Sequence, residues 1–258
     1  ACGFDTSVNL GDSIKLTTDI KKAAAHSDMI IFGLPVSFDN ITVNTPHYEG
    51  CVYLGDILKN AKEDAIITGG RVSAEIATKY GKNIIDYSKR EDFAYLNAVP
   101  TAEGAIKACM DEINKTVSGL KCALTGFGKC GEILAMTLKS LNAHPTVFAR
   151  SAKDMAHARA LGIKSFHLLN LPSVAKDFDA VFNTVPFGIF DRECINSLSS
   201  DCVFIDIASA PGGITEDYLK EKIKYKFLPG LPGKYSPITA AEIIKNVILS
   251  IIRESGKD

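Results

Sequence analysis

Gly126, Gly128 and Gly131 stand in the order G-x-G-x-x-G between KCALT, an apolar run that reads as a strand, and EILAMTLKSLNA, which reads as a helix. In that setting the first glycine permits a tight turn, the second lets the backbone approach a pyrophosphate, and the third lets the helix pack on the strand. The helix N-terminus then presents unpaired amides and the positive end of its dipole to the anion. The spacing predicts a dinucleotide crevice, with Phe127, Lys129 and Cys130 completing its loop.

A strand about 20 residues further on should end in Asp or Glu if the ribose 2′-hydroxyl of NAD is to be held. Here the strand PTVFARS ends in Ala149, Arg150 and Ser151, without a carboxylate. A guanidinium beside a hydroxyl suits a 2′-phosphate through charge-assisted hydrogen bonds, and Lys153 adds to that field. NADP(H) is therefore the expected cofactor ahead of NAD; the plain alternative is that Arg150 is a solvated surface residue. Two further strand ends, NTVP with Thr184, Val185 and Pro186, and ASAPGG with Ala208 and Ser209, are placed on the nicotinamide side, although such sequences also serve as simple turns.

The elements that must position these groups read as α/β winding. MIIFGLPV, DAIITGG and NIIDYS are apolar runs ending in Gly, Pro or Ser, expected as strands buried on both faces, with YLGDILKNAKE and SAEIATKYG as helices between them. A helix is expected over 101–118, with Thr101 as N-cap, Glu103 in its first turn and Gly119 as stop. Strands follow at KCALTG, PTVFARS, DAVFNTVP, CVFIDIAS and KYKFLPGLPG, and a last helix from a Thr239 cap. The fold class expected is two doubly wound parallel-sheet domains. Residues 1–97 form the first, with 237–258 packing back on it, and 98–236 the second. The opening ACGFDTSV reads as a strand end with no strand before it, so a first strand-helix unit is expected to be missing.

Bulk composition narrows the partners. The 258 residues are 46% hydrophobic, and 29 Lys and Arg balance 30 Asp and Glu, so no charge excess recommends nucleic acid or an anionic membrane. Seven cysteines without a C-x-x-C pair suit reduced thiols in a cytoplasmic protein, and no metal site is expected. No apolar run approaches the roughly 20 residues of a membrane span.

Four segments in order, LNAVPTAEGAI, GFGKCG, IDIASAPGG and LPGLPGKYSPITAAEII, resemble the dipicolinate synthase A-subunit family, and the likeness runs from PVSFDN to the final helix. The resemblance implies a fold like that of the D-2-hydroxyacid dehydrogenases: a flavodoxin-like N-terminal domain, a crossover helix and a Rossmann NADP-binding domain. It implies oxidation of dihydrodipicolinate, or of its hydroxylated tetrahydro precursor, to the pyridine dicarboxylate, beside the flavoprotein-like B-subunit of dipicolinate synthase in the mother cell of a spore-forming bacterium. A homo-oligomer is expected.

The Arg, Glu and His of hydroxyacid dehydrogenases are not apparent here: the loop where that Arg would sit reads Ser209, and no His follows His167. Aromatisation of a dihydropyridine needs orientation more than a strong base. The candidates for a dicarboxylate are Ser37, Arg71, Asn97, Thr101, Ser209 and Lys234, with the amides opening the Thr101 helix. Glu103, Thr184 and Ser209 are the catalytic candidates, and Asp206 reads as a buried acceptor. A non-catalytic NADP-binding regulator or scaffold, and another small-acid dehydrogenase, are the alternative readings.

Overall fold

The computed structural model describes residues 14–256. The chain divides into two compact units, Ala1–Phe93 with Ile244–Asp258, and Ala94–Ile243. Among the described residues no helix is long and apolar enough to cross a membrane.

The first unit runs α1 (Ile20–Ala25), β1 (Met29–Ile31), α2 (Leu54–Leu58), β2 (Ile66–Gly69), α3 (Ala74–Tyr80) and β3 (Ile84–Asp86). Its strands are parallel in the order β1-β2-β3, with Ile30 opposite Ile67 and Ile67 opposite Ile84. Apolar side chains including Val36, Leu54, Leu58, Ile67 and Ile76 form its core. Helix α3 begins where the Ser73 hydroxyl accepts the Ile76 amide, and ends at Gly81 in the left-handed conformation that glycine adopts without strain. β1 departs from expectation: Ile31 is 56% exposed, and among the described strands only β2 pairs with β1. Apolar composition does not by itself separate a central strand from one at an edge. The opening ACGFDTSV and any unit before it lie outside the described residues.

The helix expected over 101–118 is instead α4 (Glu91–Glu112), which carries Pro100 inside it. Thr101 is therefore not a cap. Its hydroxyl donates back to the Asn97 carbonyl at 2.7 Å, one turn earlier. Pro100 and Thr101 imitate a helix start, but the first turn belongs to Glu91 and Asp92, whose charges suit the dipole. Arg90 anchors that end, pairing with Asp92 at 2.9 Å and Glu254 at 2.7 Å. The helix stops before Ile113, Asn114 and Thr116, residues of modest helix propensity, rather than at Gly119.

The second unit continues with β4 (Lys121–Thr125), α5 (Lys129–Ser140), β5 (His144–Ala149), α6 (Ala152–Ala160), β6 (Lys164–His167), α7 (Leu171–Val174), β7 (Ala180–Asn183), α8 (Arg192–Ser197), β8 (Val203–Asp206), α9 (Asp217–Lys220), β9 (Lys224–Phe227) and α10 (Leu231–Tyr235); α11 (Pro237–Glu254) follows. The six strands are parallel in the order β6-β5-β4-β7-β8-β9, so winding reverses between β4 and β7. Side chains alternate between two cores. Leu124, Phe182 and Ile205 enter one with Leu134 and Leu138 of α5, while Ala123, Val181 and Phe204 enter the other with Phe190 and Ile195. Phe182 is fully buried, and Phe182→Ala is expected to cost about 3–5 kcal/mol through the cavity it leaves. A lowered denaturant midpoint measures that loss.

Two further boundaries differ from expectation. The strand over 224–233 ends at Phe227, because Gly230 at φ 73° turns the chain into α10 with Pro232 in its first turn. The last helix starts at Pro237 rather than after Thr239: a proline at the first helical position has no amide to leave unpaired. β6 escapes the apolar pattern of its neighbours, since KSFH is polar and its Phe166 is 48% exposed at the sheet edge.

A candidate dinucleotide site at the switch point

The three glycines of the loop meet three different constraints. Gly126 ends β4 at φ 87°, and a Cβ there would lie 2.5 Å from Thr184 Oγ1 and 2.9 Å from a Val185 methyl. A Cβ on Gly131 would lie 2.5 Å from the Gly126 carbonyl oxygen, so helix and turn touch only because it is absent. At Gly128 a Cβ would meet nothing within 4 Å: the backbone faces open space. Gly128 is also the N-cap of α5 and supplies no side-chain cap, so the first amides of that helix remain available to an anion.

That open space is a cleft of about 680 Å³. It is lined by the whole loop from Gly126 to Gly131, by Arg150 and Ser151 from the end of β5, and by Thr184, Val185 and Pro186 beyond β7. Arg150 is exposed and has no hydrogen bond or ion pair among the described residues. The Ser151 hydroxyl accepts the Asp154 amide at 3.3 Å and so caps α6. Two of the expected cofactor residues do not line the cleft. Lys153 is exposed on α6, and Ala208 is buried with its amide donating to Asp206 Oδ1 at 3.2 Å. Four residues that sequence reasoning missed do line it: Phe148, Ala149, Asp154 and Leu168. Asp154 matters most, because its carboxylate has no side-chain partner among the described residues and stands three positions after the cap. Cys130 also lines the cleft. Burial raises its thiol pKa above the ordinary value, outweighing a hydrogen bond with Thr101.

The catalytic candidates are differently placed. The Thr184 hydroxyl donates to the Thr125 carbonyl at 2.9 Å, which fixes it at the cleft wall. Ser209 is exposed in the loop after β8, and its carbonyl accepts the Gly212 amide at 2.9 Å. Glu103 is exposed in the middle of α4, so the first-turn argument for it falls.

The substrate candidates are divided between the units. Thr101 is 8% exposed and hydrogen-bonded within α4, and the amides around it are helical, so neither is open to a carboxylate. Asn97 is half-buried, and Lys234 on α10 is exposed with its Nζ 5.1 Å from the Tyr235 ring centre. In the first unit the Ser37 hydroxyl donates to Asp39 Oδ1 at 2.9 Å. Arg71 sits at φ 53°, held there by its amide donating to Asp86 Oδ1 at 3.1 Å and Ser88 Oγ at 3.0 Å.

A parallel six-stranded sheet with this strand order, and a glycine turn opening on a cleft at its switch point, defines the nucleotide-binding half of a dehydrogenase-like Rossmann fold. The chain is 32% identical over 210 residues to the dipicolinate synthase A-subunit of Bacillus subtilis (strain 168), covering 80% of this chain and 71% of that protein. It belongs to the dipicolinate synthase A-subunit family. The crystal structure of the A-subunit from Bacillus subtilis matches with a TM-score of 0.89 at 29% identity, covering 99% of this chain and 87% of that one. The A-subunit from Bacillus halodurans matches with a TM-score of 0.89 at 25% identity, over 97% and 88% of the respective chains. No protein-family model matches the chain.

Proposed function

We propose that the chain is an NADP-dependent oxidoreductase that takes dihydrodipicolinate, derived from hydroxytetrahydrodipicolinate, to dipicolinate. The observation that carries this reading is the cleft at the switch point, where Gly128 leaves room at an uncapped helix N-terminus and Arg150, at the end of β5, has no partner among the described residues. The α5 amides hold the pyrophosphate, and Arg150 with Ser151 holds the 2′-phosphate of the adenosine ribose. Thr184, Val185 and Pro186 bound the other half of the coenzyme. When bound, NADP supplies the hydride acceptor, and aromatisation of the ring drives loss of a hydride and a proton.

Residues 98–236 take the coenzyme role and residues 1–97 contribute to the substrate. Lys234, Arg71, Asn97, Ser37 and Ser209 remain the candidates for the two carboxylates, with cations and hydroxyls matching their charge. Thr184 and Ser209 are best placed to orient the substrate as hydride leaves. The family name implies a companion B-subunit, proposed here as flavoprotein-like, and the setting proposed is the mother-cell cytoplasm of a spore former.

The deciding experiment supplies enzymatically generated hydroxytetrahydrodipicolinate and NADP to the chain, with and without its companion, and follows formation of the pyridine dicarboxylate by its absorbance. Turnover coupled to NADPH formation is expected. Tight NADP binding with no turnover under either condition would replace this reading with that of a coenzyme-binding regulator.

A further inference from the structure

Beneath the loops that follow β7 and β8 lies a polar network sealed from water. Thr125, Asn183 and Asp206 are each 0% exposed. The Thr125 hydroxyl donates to Asn183 Oδ1 at 2.7 Å, and the Val185 amide donates to the same oxygen at 3.0 Å. Asn183 Nδ2 donates to the Val185 carbonyl at 3.0 Å and to Asp206 Oδ1 at 2.8 Å. Asp206 also accepts the amides of Ala208 at 3.2 Å and Gly213 at 2.8 Å, and the Tyr225 hydroxyl at 2.9 Å. The glycines of the loop conform to this carboxylate. A Cβ on Gly212 would lie 2.7 Å from Asp206 Oδ2, and one on Gly213 would run into Asn183 Nδ2.

No cation touches Asp206 among the described residues, so its burial is offset by hydrogen bonds alone. An apolar side chain would fill such a place at lower cost in desolvation. Backbone bonds already join the later part of the first loop to the second, since the Ile189 and Phe190 amides both donate to the Gly213 carbonyl at 3.1 Å. What the network adds is a side-chain tie nearer the strand ends: residues 184–186 through Asn183, and residues 207–213 through Asp206. In this strand order, a pyrophosphate at α5 with its adenosine at β5 sends the opposite half of a dinucleotide over the ends of β7 and β8.

We infer that Asp206 is a positioning residue, which fixes the loops after β7 and β8 to one another and so presets the surface on which the nicotinamide half of the coenzyme lies. This rests on the coenzyme reading above. Tyr225 is the fourth donor to Asp206. Its hydroxyl is held well above its ordinary pKa, first by burial and then by the carboxylate, so it remains a donor.

The test compares Asp206→Asn and Tyr225→Phe with the unaltered chain in binding NADPH and 2′,5′-ADP, the latter carrying only the adenosine half. Amide exchange of Val185, Ala208 and Gly213 is followed in the same proteins without ligand. Asp206→Asn should weaken NADPH about tenfold or more and Tyr225→Phe about threefold to fivefold, the range for losing buried hydrogen bonds. Affinity for 2′,5′-ADP should change by less than about twofold, since no bond to its groups is removed. Exchange should quicken at Val185 as well as at Ala208 and Gly213. Parallel weakening of both ligands would overturn the inference by making the role a merely structural one, and so would unchanged NADPH binding or a Val185 amide still as protected as before. Should Asp206→Asn fail to fold, Tyr225→Phe decides by the same readings. An unaltered chain that binds neither ligand would overturn the coenzyme reading, and with it this inference, before any variant is compared.

Discussion

Gly128→Asp is expected to abolish dinucleotide binding while leaving the protein as stable as before or slightly more so. The backbone at Gly128 is extended, at φ −81° and ψ −171°, and a side chain there would meet only the open cleft. Asp is a favoured N-cap whose carboxylate would satisfy free amides of α5, a gain of roughly a few tenths of a kcal/mol over the glycine it replaces. Those are the same amides that the pyrophosphate needs, and the new charge repels it. A loss of at least about 100-fold in NADPH affinity, near 3 kcal/mol, is expected. Calorimetric titration beside a thermal melt reads both effects. A variant that still binds would remove the pyrophosphate from this turn, and one that melts early would remove the capping role given to the new carboxylate.

Arg150→Ala should erase the preference for the phosphorylated coenzyme. Its charge-assisted hydrogen bonds to a 2′-phosphate are worth about 1.5–2 kcal/mol at an exposed site, or about ten- to thirtyfold in affinity for NADPH. Affinity for NADH should move by less than about threefold, because NADH has no group for the guanidinium to pair. On the same reading Asp154 would work against that phosphate, since it lines the cleft and its carboxylate has no side-chain partner among the described residues. Asp154→Asn is therefore expected to sharpen the preference that Arg150→Ala removes. The ratio of NADPH to NADH dissociation constants across the three proteins is the measurement. A ratio unaltered by Arg150→Ala would return that side chain to solvent and leave the cofactor open.

How much could be read from the residues depended on whether their role is local. β4, β5, β7 and β8 are buried on both faces, so their continuous apolar runs announce them. The glycine loop was legible because tight turn, open approach and close packing are each satisfied by the absence of a side chain at one known position. Pro100 and Thr101 misled because they carry the chemistry of a helix start in the middle of a 22-residue helix, and Glu103 was misjudged with them. Tertiary packing explains the difference: Ala98, Ala102, Ala105 and Ile106 form one buried face that continues across the proline. Asp154 was overlooked for a related reason. Only the Ser151 cap, which sets where α6 begins, brings its third residue to the cleft wall. The Asp206 network lay further out of reach, since its partners come from strands that are distant in sequence and neighbours only in the sheet.

The thiols have a practical consequence. Cys109, Cys194 and Cys202 are buried, and burial pushes each up to about 12, while Cys122 is carried higher still and Cys130 is shifted the same way. Thiolate is the reactive form, so at neutral pH these five are poor nucleophiles. Cys51 is exposed, and a maleimide dye should therefore attach there ahead of the other described cysteines. A fluorophore at that position labels the first unit and leaves the glycine turn chemically untouched, so the labelled protein keeps its coenzyme loop unmodified.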